Sequence, residues 1–337
     1  MPEHLGRTLS AMADAGIDAL IVSRAGNARY VSNAEVLSLT GTRPFAPGCV
    51  VVRSTGKVHL LSITDSGIPP TIAHDQLYPL TWNPMNLAGS VAAIPGLADA
   101  ETVGVDGMTP MMEQLLGAVL PAATFVDGEA LLRAVRRPKS AADLDGIRRA
   151  VRVTEQCVAA ALAAIAPGTT ERELLGRFEA TMGGLGTTTP AFEASVCVAG
   201  ATPRWIVSDR ALRTGDLVHV RGGVLVDGWE GVLARTRGCG GATGPQTAAG
   251  ERAAAALADA IGACIPGTVV GHLRERVDVM AVDGVGLGHE ELADDVELAP
   301  DDVVYVEVLV GQVLLGDLIH VTDGAPELLT TTPLAVG

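Results

Sequence analysis

The sequence predicts an α/β domain followed by an α+β domain, and three observations lead there. Its 337 residues suffice for two domains of ordinary size. The first third alternates between helical and strand periodicity, the pattern of a layered α/β unit. Beyond a charged stretch broken by Pro138, helical segments come first and strands follow, as in an α+β unit. The expected divisions are residues 1–130, a linker at 131–140, and 141–337. With 48% apolar residues, both units can bury a core without disulfide staples.

Each element has its own signal. Residues 5–15 place apolar side chains at helical spacing, and Gly16 stops that helix. A buried strand follows at 19–22. Two apolar runs, 50–52 and 58–61, flank Ser54-Thr-Gly56 and read as a hairpin. Residues 102–105 are a strand and 110–120 a helix. After the linker, 141–165 is a long amphipathic helix ending at Pro167-Gly168. Thr170-Glu-Arg-Glu173 has the form of a capping box that opens a second helix. Strands are expected at 194–198, 217–220, 224–235, 303–310 and 318–322, with a helix over 246–265 between them.

Composition excludes several function classes. The net charge of −15 argues against nucleic acid or an anionic membrane as partner. No apolar run reaches the ~20 residues that span a bilayer, and no basic segment leads into an apolar one near Met1. A cytoplasmic protein is the expectation. Five cysteines, Cys49, Cys157, Cys197, Cys239 and Cys264, lack metal-type spacing and read as reduced thiols. Cys239, between two glycines, is the one whose setting suggests exposure.

Several motifs then carry a resemblance. They are Arg137-Pro-Lys-Ser140, Leu212-Arg-Thr-Gly-Asp-Leu-Val-His-Val220 with Gly228-Trp229 and Ala234-Arg-Thr236, Asp283-Gly-Val-Gly-Leu287 with His289-Glu290, and Val321-Thr-Asp-Gly324 with Pro326-Glu327. They resemble the pita-bread superfamily of creatinase, aminopeptidase P, prolidase and methionine aminopeptidase. Gly16-Ile-Asp-Ala-Leu-Ile-Val22 with Asn27 and Tyr30 resembles the creatinase-type N-terminal domain. The resemblance implies an α+β pita-bread C-terminal domain preceded by an α/β creatinase-type N-terminal domain. It also implies a homodimer.

In active relatives two divalent metals are held by two aspartates, a histidine and two glutamates. The corresponding positions here are Arg221, Val232, Asp283, Glu307 and Gly316, so Glu307 alone is kept in kind. A guanidinium repels a cation and cannot coordinate one. No metal and no other cofactor is therefore expected. Metal-free creatinase implies a histidine where Arg204 stands and a hairpin glutamate where Ala234 stands, so that pattern is not matched either.

Strand alternation gives the lining without reference to the family. If Arg221 faces the old metal site, so does His219; with Val232 go Glu230 and Ala234; with Glu307 goes Tyr305. The candidate catalytic residues are His219, Glu230, Asp283, His289 and Glu307. The candidate substrate-binding residues are Arg204, Arg221, Trp229 and Tyr305. The expected function is a metal-independent, creatinase-like enzyme acting on a small substrate with an amide, guanidine or amine C–N bond. The alternatives are a non-catalytic pseudopeptidase that binds a peptide or protein, and a chemistry foreign to the family. A structural role for Arg221, as ion-pair partner of Glu307 or Asp283, competes with ligand recognition.

Overall fold

A computed structural model describes residues 3–35, 48–62, 64–79, 81, 83–200 and 204–337. It divides into two units, Met1–Arg136 and Arg137–Gly337. In the first, α1 (Glu3–Asp14) buries Leu5 and Met12 and ends at Gly16, whose φ of 67° suits a residue without Cβ. Next come β1 (Ala19–Val22), α2 (Ala25–Ser32), β2 (Cys49–Val52), β3 (Lys57–Leu61), β4 (Leu77–Tyr78), α3 (Pro84–Ala92), β5 (Thr102–Val105), α4 (Pro110–Val119), β6 (Thr124–Asp127) and α5 (Glu129–Arg136). The strands form one sheet in the order β4-β3-β2-β1-β5-β6. The β2–β3 hairpin is antiparallel, while β1, β5 and β6 run parallel.

The stretch expected to be linker differs from the structure. Residues up to Arg136 belong to α5, because Asp127 accepts a hydrogen bond from the Glu129 N–H at 2.9 Å and opens the helix. Leu132 is buried beneath it, and the Tyr30 hydroxyl donates to the Val135 carbonyl at 2.7 Å. Of the charges that suggested a linker, Arg133 and Arg136 lie in the last turn of this helix, while Arg137 and Lys139 pair with Asp302 and Glu290.

The second unit opens on α6 (Ala141–Ala163), capped reciprocally by Ser140 and Asp143, and α7 (Glu171–Gly184), capped by Thr170 and Glu173. There follow β7 (Ser195–Val198), β8 (Leu217–Val226), β9 (Trp229–Gly238), α8 (Gly244–Gly262), α9 (Val270–Arg274), β10 (Val279–Gly286), β11 (Gly288–Glu290), β12 (Val303–Val310), β13 (Val313–His320) and β14 (Glu327–Leu328). The sheet order is β11-β10-β12-β13-β9-β8-β7, with β14 on β13. One apolar core, with Leu257, Val306 and Ile319, lies under α8; another, with Phe178, Val196 and Val220, lies under α6 and α7.

Two strand expectations need correction. The run 224–235 is broken by a tight turn at Asp227 and Gly228, with φ of 52° and 84°, the positive pair that a two-residue hairpin requires. The last long strand begins at Val313, not 318. All five cysteines are free and buried, Cys239 included.

Candidate functional site

Pairing register brings the site together. Across the sheet Arg221 pairs Ala234, Ala234 pairs Gly316, and Gly316 pairs Glu307. The two middle positions are small, so the long Arg221 side chain can reach over them. Its Nε donates to Glu307 Oε2 at 2.7 Å, and the Tyr305 hydroxyl donates to the same oxygen at 2.6 Å. A Cβ added to Gly316 would collide with that hydroxyl. Tyr305 thus fills the volume that a carboxylate side chain at 316 would need.

Beside this triad lies a cavity of about 410 Å³, lined by Arg221, Glu230, Val232, Asp283, Val285, His289 and Tyr305 together with residues 191–193. The period-2 spacing of 230 and 232, and of 283 and 285, is that of strand side chains on one face. Around the Arg221 guanidinium, the rings of Phe192, Trp205 and Tyr305 stand 4.5, 5.5 and 6.0 Å from its central carbon. The Arg221 side chain keeps a quarter of its surface exposed, while Glu307 is buried.

Glu230 is the outlier in electrostatics. It is 3% exposed, and its Oε2 has no hydrogen-bond partner among the described residues. Burial pushes its carboxyl up to about 8, with Glu290 and Asp283 adding to the rise and Arg221 opposing it. At neutral pH Glu230 is therefore a protonated acid on a cavity wall. Burial likewise lifts the Tyr305 phenol well above its ordinary range, with Glu307 next, so Tyr305 remains a donor.

Other predicted residues do different work. The His219 ring is spent on the Gln312 carbonyl, 2.8 Å from Nε2, and lies off the cavity lining. Burial lowers its pKa, with that carbonyl and Glu307 opposing. Arg204 pairs with buried Glu171 and is also off the lining. Trp229 packs over Gly146, whose missing side chain leaves room for the indole. Glu307 is engaged by Arg221 and Tyr305, both through Oε2. Asp283 has a longer contact to Arg274, at 3.4 Å, and keeps a cavity face. Phe192 and Glu193 escaped sequence reasoning because they precede β7 in a segment with no strand alternation to place them.

These residues do not fit a family-type metal pair. Among the described residues no group of three or more His, Cys, Asp or Glu side chains is disposed to hold a metal ion. Glu307 already neutralises a guanidinium, and Val232 and Gly316 offer no donor atom.

Fold and site together define a two-domain protein built like the creatinase and prolidase enzymes. Residues 5–137 match the model of the creatinase/prolidase N-terminal domain, and 145–310 match that of metallopeptidase family M24. The chain belongs to the pita-bread superfamily, with a creatinase-type N-terminal domain ahead of the M24 domain.

A Xaa-Pro dipeptidase from Pyrococcus furiosus is 23% identical over 239 residues, 70% of this chain and 64% of that protein. The Pyrococcus horikoshii Xaa-Pro dipeptidase is 23% identical over 241 residues, again 64% of its length. The chain thus matches just under two thirds of each of these relatives. Among solved structures, the prolidase from Pyrococcus horikoshii OT3 superposes with a TM-score of 0.80 at 20% identity, covering 98% of this chain and 99% of that one. The X-Pro aminopeptidase from Thermotoga maritima gives 0.81 at 16% identity, covering 98% of both. Among the described residues no helix is long and apolar enough to cross a membrane.

Proposed function

We propose that the chain is a metal-independent, creatinase-like hydrolase acting on a C–N bond in a small substrate that carries a carboxylate. The observation that carries this reading is Glu230, a buried carboxylic acid with an unpartnered oxygen on the wall of an open cavity. Enzymes raise a carboxyl toward neutrality in this way when it must hand over a proton at pH 7. The relatives are named Xaa-Pro dipeptidases, which supports a dipeptide-sized substrate here.

Arg221 then anchors the substrate carboxylate through its terminal nitrogens, its Nε being held by Glu307. Water adds to the carbon of the scissile bond, losing a proton to Asp283 or His289, both on the cavity wall. As the C–N bond breaks, the Glu230 carboxyl gives its proton to the departing nitrogen, leaving an amine together with an acid from an amide or a urea from a guanidine. No step requires His219, Glu307 or Arg204. The protein would act as a homodimer, as the resemblance to creatinases implies.

The test is turnover of a panel of dipeptides, N-carbamoyl acids and guanidino acids by wild type and Glu230→Gln. Loss of about 10²–10⁴-fold in rate is expected for the variant. Wild-type rates in Glu230→Gln would refute the assignment. A folded wild type that binds panel members but turns over none would favour the pseudopeptidase alternative.

A further inference from the structure

We propose that Trp205 is a specificity-determining residue, held beside the Arg221 guanidinium rather than in the cavity lining itself, so that its indole packs on the apolar part of a ligand whose carboxylate Arg221 binds. The proposal rests on Arg221 as carboxylate anchor, and extends it to the chemical class of the ligand: a carboxylate bearing an aromatic or other flat apolar group.

The geometry begins at the guanidinium. Phe192 lies 4.5 Å and Trp205 5.5 Å from its central carbon, so aromatic rings flank it. Its Nε edge is committed to Glu307. Arg221 also lines the cavity, and on this proposal its terminal nitrogens are the donors that a planar carboxylate takes. A group attached to that carboxylate would lie next to the rings.

Trp205 is also held in place, although it is 43% exposed and its neighbour Ile206 84% exposed. Glu171, at the first position of α7, is fully buried. One of its oxygens accepts from Arg204 and from the Val198 N–H at 2.8 Å. The other accepts from the Ser208 N–H at 3.0 Å and the Ser208 hydroxyl at 2.7 Å. Both sides of Trp205 are therefore clasped to one buried carboxylate, and the indole projects from between the two fastenings. A carboxylate at a helix N-terminus is itself favoured by the helix dipole. Arg204, expected to bind substrate, is on this view a positioning residue that presents Trp205.

Isothermal titration of the full-length protein with benzoate and with acetate separates the parts. Wild type is expected to prefer benzoate by about tenfold, the scale of one favourable aromatic contact. Trp205→Ala should lose the benzoate preference over acetate, and Trp205→Phe should restore most of it. Glu171→Gln, which loosens the clasp, should reduce the preference while acetate affinity holds. A benzoate preference that survives Trp205→Ala overturns the proposal. Arg221→Lys should weaken both acids alike; if it leaves both unchanged, the anchor fails and this inference falls with it. Failure of wild type to bind either acid has the same consequence. Turnover is measured separately, so intact preferences with no hydrolysis would reject the catalytic reading and leave Trp205 in its role.

Discussion

Replacing Arg221 by alanine separates its two roles, because the structure gives it both a buried partner and a cavity face. The substitution leaves Glu307, 2% exposed, without its counter-charge. Removing one member of a buried ion pair costs about 3–5 kcal/mol. Glu307 keeps the Tyr305 hydroxyl at 2.6 Å, and Arg221 is itself a quarter exposed, so the lower end applies, about 3 kcal/mol. For a domain of this size that corresponds to a fall in Tm of roughly 6–12 °C. Arg221→Ala with Glu307→Gln removes both charges and should recover most of the loss. Arg221→Lys should keep most of the stability, since a cation remains beside Glu307, while losing the planar fork that a carboxylate ligand needs. The assay is thermal unfolding of the four proteins, each with and without a small carboxylate. A Tm for Arg221→Ala within about 2 °C of wild type, or a double variant no better than the single one, would refute the pairing energetics.

Three further outcomes are expected. Glu230 has a folded pKa of about 8 against an ordinary 4.5, so its contribution to stability is fully present below 4.5 and lost as pH rises through 8. Glu230→Gln does not titrate and should gain on wild type across that window, by up to about 5 kcal/mol; parallel stability curves from pH 5 to 9 would contradict this. Gly316→Ala pushes a methyl group into the Tyr305 hydroxyl and should cost about 1–3 kcal/mol; an unchanged urea midpoint would show that the hydroxyl can move aside. Light scattering at micromolar concentration should give a dimer, and a particle of 34.5 kDa would reject it.

Most of the fold was legible because its signals are local or tied to motifs. Thr170 and Glu173 cap α7 as their spacing implies, and the Leu217 strand and the Arg-Thr pair at 235–236 fix the β8–β9 hairpin. The hairpin turn was also legible, since Asp227-Gly228 between Val226 and Trp229 is a two-residue turn signal, but the single strand expected over 224–235 runs across it. Strand alternation led to Arg221, Glu230 and Tyr305 on one cavity, because period 2 is a property of the backbone and survives sequence divergence. It misled for His219, which shares the strand face but lies far enough along it to meet the Gln312 carbonyl. It could say nothing of Arg204, whose partner Glu171 looks like an ordinary first-turn acid until its burial is known. The elevated Glu230 carboxyl was invisible for the same reason: its cause is desolvation, which depends on how the strands pack.

The most direct measurement is the hydrolysis rate on a cleaved panel substrate, before and after exhaustive chelation. Val232 and Gly316 offer no metal donor and Arg221 repels a cation, so the rate should be unchanged by chelator and lowered about 10²–10⁴-fold by Glu230→Gln. Activity that disappears on chelation and returns with added manganese, cobalt or zinc would contradict metal-free chemistry at this site.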